Sequence, residues 1–502
     1  MNQPILHSPR QKQKLQHILS NWKLTPATFA HKISRGQWIP APHLMYISAK
    51  IAQGIARGGA RIIISAPPRH GKSQLTSVYT PAWILETFPQ YKTILTGYGA
   101  DLATGFSRQV RDIFLDEENF ALLNARIRKD SSRVEAFHTE QGGGMFAVGL
   151  GGPITGRGAN VLLIDDYIKE IKEALSPAYR DYIWNWFVTT AFTRLEPDGS
   201  CIIIATRWHS DDLIGRILQN FPGQWDYIEL PAIAEHGDIL GRQVGEALFP
   251  ERYPLEKLQE LQETLGSVFF AALYQQKPVD ETKKITNGNW LGIVDSIPPQ
   301  EQKVLKRVRV WDLAATEDGG DWTVGTLMSY CAMTDVVYIE NVVRKQVSPA
   351  QVEALVAKTA QLDGEEVKIR IEREPGSAGK SLVSHYRINV LEGFDVDEVP
   401  VVKNKLVRAQ PFIAGAEAGK VKLVRGPWND DFIKEFDAFP SGQHDDQIDT
   451  AGAGYTILTG KKIYSASWGR TRRAGTTQNS DAIKRSQARL AVRRSKVTFG
   501  RT

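Results

Sequence analysis

Cysteine is nearly missing from this chain: Cys201 and Cys331 are the only two in 502 residues, 130 positions apart in apolar runs and without CxxC spacing. That excludes a disulfide framework and a zinc site of paired cysteines, and points to a reducing cytoplasm. Long apolar runs are missing as well. No stretch approaches the roughly 20 uncharged apolar residues a membrane helix needs. Mean hydropathy is −0.29, and the opening MNQPILHSPRQKQK has no apolar signal-peptide core. No membrane partner is expected. Internal repeats and long low-complexity tracts are absent too.

What is present is ordinary globular material, 42% hydrophobic, 24% charged and 9% aromatic. The length exceeds what one core organises, so at least two domains are expected. Charge is divided unevenly. Residues 461–502 carry twelve Lys or Arg and one acid, a net +11 against +6 for the whole chain, which leaves the preceding 460 residues at −5. The basic, flexible-reading tail (461–502) has the chemistry to neutralise nucleic-acid phosphates, or is simply solvated.

Residues 1–60 read as helical with polar faces, LMYISAKIAQGIA being the clearest case. Over 61–274, the short β-branched runs RIIIS, KTILTGY, VLLIDD, CIIIAT and DYIEL alternate with helical or loop segments. That is the pattern of a mainly parallel, doubly covered sheet in an α/β domain. Residues 275–290 are polar and aperiodic, a plausible linker. Over 291–460, VRVWDLA, WTVGTLMSY and DVVYIENVVR follow one another at hairpin spacing and give way to helices and the strand VKIRIE. A mixed α/β sheet opening on antiparallel strands is expected there.

The strand RIIIS runs directly into Ala66-Pro67-Pro68-Arg69-His70-Gly71-Lys72-Ser73 and then a helix, the order a P-loop requires. Backbone amides at such a helix start surround a β-phosphate, Lys72 reaches the β and γ oxygens, and the Ser73 hydroxyl ligates Mg²⁺. Ala66 replaces the first Gly of the strict pattern, which is tolerable only where φ stays negative. VLLIDD then places Asp165 at a strand end beside the metal, with Asp166 next to it to orient the attacking water. Arg157, in the Gly-rich GLGGPITGRGAN, is a candidate arginine finger, with Arg69 its rival. After CIIIAT, the group Thr206-Arg207-Trp208-His209 stands where a γ-phosphate is sensed.

In the second half, Asp312 lies in the apolar strand VRVWDLAA, where a lone carboxylate is costly without a cation. Glu372 ends VKIRIERE with Glu374 as competitor on the same face, and HDDQID opens a helix with Asp445, Asp446 and Asp449. Acids from two strands and a helix start suit two divalent ions, Mg²⁺ or Mn²⁺, in phosphodiester hydrolysis of ribonuclease H type.

Taken together, SAPPRHGKS, GGPITGRGAN, VLLIDD, IIIATRWHSDDLIGR, ALYQQKP, WDLAAT, IEREPGSAGKS and HDDQID resemble, in order, the large terminase subunits of tailed bacteriophages. The resemblance runs from about Trp38 to Leu458. It implies an ASCE-type P-loop ATPase followed by a ribonuclease H-like nuclease, using ATP, Mg²⁺ at the ATPase and two divalent ions at the nuclease. It also implies double-stranded DNA, the portal protein of the procapsid and the small terminase subunit as partners. The assembly would be a homo-oligomeric ring, taken as a pentamer, in the bacterial cytoplasm, docked transiently on the procapsid and absent from the mature virion. Carried over residue by residue, it assigns Lys72 and Ser73 to nucleotide and Mg²⁺, Asp165 to the same metal, and Asp312, Glu372 and Asp446 to the nuclease metals, with Asp449 accessory. Asp166 stands where the family has Glu, and His43 where a polar residue contacts adenine. Two other readings compete: a helicase or restriction-type translocase with a fused nuclease, and a capsid component that only binds nucleotide.

Overall fold

The computed structural model describes residues 17–460 except 279, 281–284, 315–321, 374–376, 401–404, 441 and 443. The basic tail and Glu374 therefore lie outside the described residues.

Eight strands form the first sheet: β1 (Arg61–Ser65), β2 (Lys92–Gly97), β3 (Ile127–Ser132), β4 (Ala136–Thr139), β5 (Gly144–Gly149), β6 (Ala159–Asp165), β7 (Leu195–Ala205) and β8 (Asp226–Glu229). Their order is β3-β4-β5-β2-β6-β7-β1-β8, parallel from β5 to β8, with β3 and β4 added antiparallel at one edge. The Ile and Val runs of β1, β6 and β7 are central and covered on both faces, as their uninterrupted apolar sequence requires. Pairing of Ser65 with Ala205 and of Asp165 with Ile204 brings the carboxyl ends of the three strands to one edge. Because β7 inserts between β1 and β6, the residue after it, Thr206, falls between the P-loop and Asp165. The five strands expected here all form. The three further strands, IRKDSS, AFHT and GMFAVG, are polar, short or bounded by Gly, so their alternation gives little signal.

Beneath β1 lies the helix Pro42–Arg57, whose Leu44, Ile47, Ile51 and Ile55 fall on one face at helical spacing and join the main core. The preceding helix, Pro26–Ile33, starts with Pro26 at its first turn and a Thr25 hydroxyl cap.

The second sheet contains β9 (Gly292–Val294), β10 (Lys306–Asp312), β11 (Thr323–Cys331), β12 (Val336–Lys345), β13 (Lys368–Arg373), β14 (Val396–Pro400) and β15 (Val421–Val424). Its order is β14-β13-β10-β11-β12-β15-β9. β10, β11 and β12 are antiparallel and β13 is parallel to β10, the mixed topology the sequence led us to expect. The helix Asp446–Thr459 packs on β10 and β11 and against the helix Lys405–Glu417. The Thr450 and Thr326 hydroxyls, 2.7 Å apart, fix that helix to the sheet. Under β10, buried Arg309 forms a fork of two 2.7 Å bonds with Asp363 and donates to the Gly325 carbonyl.

The residues expected to form the linker make hydrogen bonds near both of its ends. Buried Gln276, with φ 58°, accepts from the Arg207 amide at 3.4 Å, and its own amide donates to the Leu273 carbonyl at 2.8 Å. Thr286 donates to the Phe436 carbonyl at 2.5 Å, and the Gly288 amide donates to Asp437 at 2.7 Å. Upstream, the helix Leu255–Leu273 is broken at Gly266 (φ 75°, ψ 163°), where it packs on the helix Lys405–Glu417. Among the described residues, no helix is long and apolar enough to cross a membrane.

Candidate nucleotide and nuclease sites

At the carboxyl edge of the first sheet, the P-loop turns from β1 into a helix that opens with a wide turn, Gln74–Tyr79, closed by a bond from the Thr80 amide to the Leu75 carbonyl. Such widened turns recur at functional sites. Two residues of the loop are left-handed, Arg69 (φ 64°) and Gly71 (φ 86°). Ala66 is not among the positive-φ residues, so the change from Gly at that position carries no backbone strain. A Cβ on Gly71 would meet Leu44 at 3.0 Å.

Lys72 is buried, and its Nζ donates to Thr206 Oγ1 at 2.9 Å and lies 3.3 Å from Asp166 Oδ2. The Ser73 hydroxyl donates to Asp165 at 3.0 Å, and Ser77 donates to the other Asp165 oxygen at 2.5 Å. Burial, reinforced by the adjacent Asp166 charge and opposed by Lys72, pushes the Asp165 carboxyl above its ordinary range. Asp166 adopts φ 44°, which turns its carboxylate back so that it accepts from the Thr206 amide at 3.1 Å. P-loop cation, strand-end acids and the residue following β7 thus form one connected cluster.

His43, expected as an adenine contact, is wholly buried under the loop, where its Nε2 is 2.8 Å from the His70 carbonyl. His70 in turn stacks on Tyr253 at 4.8 Å. Burial lowers both imidazoles, His43 to about 4 and His70 to about 3, so both are neutral props of the loop at physiological pH. Arg157 is exposed, with its guanidinium 3.9 Å from the Phe146 ring on β5. It precedes β6, whereas Asp165 ends it, and six strand residues rise about 20 Å, so Arg157 lies at the opposite edge of the sheet from its own subunit's cluster. Arg69 is exposed at the loop. Arg207 forms a buried 2.8 Å pair with Asp212, the cap of the helix Leu213–Asn220.

In the second sheet, pairing of Trp311 with Ile371 sets Asp312 beside Glu372 on adjacent strand ends. Asp446 and Asp449, three apart in the first turn of their helix, share one face and approach from above. Burial and the charges of Glu372 and Asp446 raise Asp312 to about 7. Burial raises Asp449 to about 7 against the opposing Arg408, and raises Glu372 in the same way. Arg408 is the cation at the centre: Nη1 donates to Glu372 at 3.1 Å and Nη2 to Asp449 at 2.6 Å. Lys405 donates to Asp445 at 2.6 Å. Glu372 Oε1 and Asp449 Oδ1 are buried with no hydrogen-bond partner among the described residues. Hard carboxylate oxygens left unpaired suit a divalent ion. Yet among the described residues no three acids, imidazoles or thiolates are gathered tightly enough to close around one. Donor chemistry fits the metals, whereas the present arrangement holds an arginine.

Two family models match the chain. One, described as terminase large subunit, T4likevirus-type, N-terminal, covers residues 63–302; the other, described as terminase RNaseH-like domain, covers 309–456. The chain belongs to the terminase large subunits. That family makes this protein the large subunit of a viral DNA-packaging motor, with an ATPase and a nuclease domain. Similar solved structures include the large terminase of a thermophilic bacteriophage, 11% identical with TM-score 0.46, the match covering 81% of this chain and 95% of that one. The large terminase of bacteriophage HK97 is 11% identical with TM-score 0.32, over 80% and 93%. The nuclease domain of the bacteriophage SPP1 large terminase, solved with bound Mn, is 12% identical with TM-score 0.26, over 34% and 98%. No curated protein matches this terminase.

The acids expected in the terminase sequence fall into two sets, one in each matched region: Asp165 and Asp166 beside Lys72, and Asp312 beside Glu372 with Asp449 joined to Glu372 through Arg408. The residues that escaped the sequence reading are the cations and the second serine: Arg408, Lys405 and Ser77. Lys405 and Arg408, three apart at the start of a helix, look like a solvated face, and nothing local indicates that this end of the helix inserts among acids.

Proposed function

We propose that this terminase hydrolyses ATP at the Lys72 cluster to translocate double-stranded DNA through a portal, and cuts the DNA with the Asp312 cluster when packaging starts and ends. The observation that carries the reading is the junction of Lys72 with Thr206 and Asp166 at the edge of the sheet, beside Ser73 and Asp165. Lys72 binds the β and γ phosphates, Ser73 and Asp165 hold Mg²⁺, and Asp166 orients water. Thr206 loses the hydrogen bond from Lys72 when a phosphate claims that cation, so it senses the γ-phosphate through Lys72. Arg157 serves the neighbouring subunit's site, which requires a ring, here a pentamer on the procapsid portal, reached with the help of a small subunit.

Asp312, Glu372, Asp446 and Asp449 would hold two divalent ions, Mg²⁺ or Mn²⁺, which supply an activated water and stabilise the leaving 3′ oxygen. DNA gripping is expected to be sequence-tolerant and salt-sensitive, because phosphates carry no base information. A packaging assay with purified empty capsids, ATP and linear duplex DNA tests the proposal. Wild type should protect DNA from nuclease digestion and Lys72→Ala should protect none; equal protection by the two would overturn it.

A further inference from the structure

The helix Lys405–Glu417 has two working ends. Its first turn presents Lys405 and Arg408 to the nuclease acids, and its last turn grips the terminal helix of the ATPase domain. In that last turn Glu417 accepts from the Ser267 amide at 2.8 Å, and Gln410, in the second turn of the same helix, donates to the Leu265 carbonyl at 3.3 Å. Those two backbone groups flank Gly266, whose Cα approaches the helix so closely that a Cβ would lie 3.2 Å from Ala414 Cβ. The break exposes backbone groups that an unbroken helix would bond internally, and this one helix satisfies both.

At the other end, Arg408 bridges carboxylates from two elements, Glu372 on β13 and Asp449 on the last helix. The carboxylate side chains are 5% and 4% exposed and Arg408 13%, so the trio is shielded from water and its charges interact strongly. Each acid keeps one unpaired oxygen while Arg408 takes the other. A divalent ion and a guanidinium cannot both occupy the space between the same two carboxylates.

Resting on the nuclease reading above, we infer that Arg408 is a resident counter-cation that excludes metal from the nuclease site, and that movement of the helix Lys405–Glu417 against the Gly266 break exchanges it for divalent ions. A cutting centre that must stay silent during translocation is then kept silent by absence of its metals, and the motor domain holds the far end of the element that admits them. Arg408 is a positioning residue in this scheme.

Mn²⁺ binding to the full chain without nucleotide, followed by electron paramagnetic resonance, tests this, with Asp312→Asn defining the fraction bound at the nuclease site. Arg408→Gln should bind that fraction at least about tenfold more tightly than wild type, because a cation within a few ångströms of the ligands is removed. Arg408→Lys keeps the charge on a stem that cannot fork to both acids, and should tighten binding several-fold if the glutamine variant does not fold. Gly266→Ala, whose methyl would meet Ala414 and Glu417 but none of the nuclease acids, should also change the Mn²⁺ affinity. Unchanged or weaker binding in the Arg408 variants overturns the counter-cation, and unchanged binding in Gly266→Ala overturns the helix route. If wild type and variants bind no Mn²⁺ that depends on Asp312, the nuclease reading fails first and the inference with it.

Discussion

Replacing Gly266 by Ala separates two sources of strain at the domain junction. Its φ of 75° with ψ of 163° lies in a region that is essentially glycine-only, and forcing a side chain there costs about 1–3 kcal/mol. The new methyl would stand 3.2 Å from Ala414 Cβ and 3.3 Å from Glu417 Oε2, so the two helices must part by a few tenths of an ångström. Parting lengthens the 2.8 Å bond from the Ser267 amide to Glu417, a charge-assisted bond whose full loss costs about 1.5–3 kcal/mol. Partial loss brings the expected total to about 2–4 kcal/mol, or roughly 30- to 1000-fold in an equilibrium constant. A chain with two cores need not unfold in one step, so the assay is native-state hydrogen exchange of amides in Leu255–Leu273 and Lys405–Glu417. Their protection should fall by that factor while amides in β1, β6 and β7 keep theirs. Ala414→Gly in the same chain removes the methyl contact but leaves the dihedral strain, so most of the loss should persist. Protection within about twofold of wild type in Gly266→Ala, or full recovery in the double variant, would refute the dihedral argument.

Three further outcomes are expected. Asp312→Asn should abolish Mn²⁺- or Mg²⁺-dependent cleavage of plasmid DNA while ATP hydrolysis continues at the wild-type rate; simultaneous loss of both in a folded variant would break the separation of the two centres. Arg157→Ala should leave the binding of a fluorescent ATP analogue to the isolated subunit unchanged, yet lower ATPase turnover on portal-bearing procapsids by at least about a hundredfold, as removal of a trans-acting arginine does; equal turnover would rule out the finger. For pH, Asp312 and Asp449 titrate near 7 when folded and near 3.8 when unfolded, so between those values the folded state binds more protons. Stability of the chelator-treated protein should therefore be highest below about pH 4 for these two groups and fall as pH rises towards 7, by up to about 4 kcal/mol for one such group. Asp312→Asn should flatten that slope in a thermal-melt series and divalent metal should offset it; a slope that neither change alters would remove the carboxylates as its cause.

Much of the molecule was legible because its signals are local. A β-branched run leading into PPRHGKS is a strand, a turn and a helix start wherever it occurs, and VLLIDD can leave its acids only at a strand end. The antiparallel opening of the second sheet was likewise carried by three alternating runs at hairpin spacing. Strands β3, β4, β5, β9, β14 and β15 were not legible, since segments such as GIV or VKLV form only because a neighbouring edge offers them hydrogen bonds.

The amino-acid sequence by itself singled out the candidate residues: Lys72, Ser73, Asp165 and Asp166 at one centre, and Asp312, Glu372, Asp446 and Asp449 at the other. Tertiary structure alone decided what stands between them. Strand order, which no strand encodes, put Thr206 against Lys72; helix packing put Arg408 among the acids, His43 beneath the loop, and Gly266 against Ala414. These are contacts across as many as 148 positions of chain, as between Gly266 and Ala414. They are fixed by which apolar faces meet, and a local pattern of charges is the same whether its helix ends in solvent or in a carboxylate cluster.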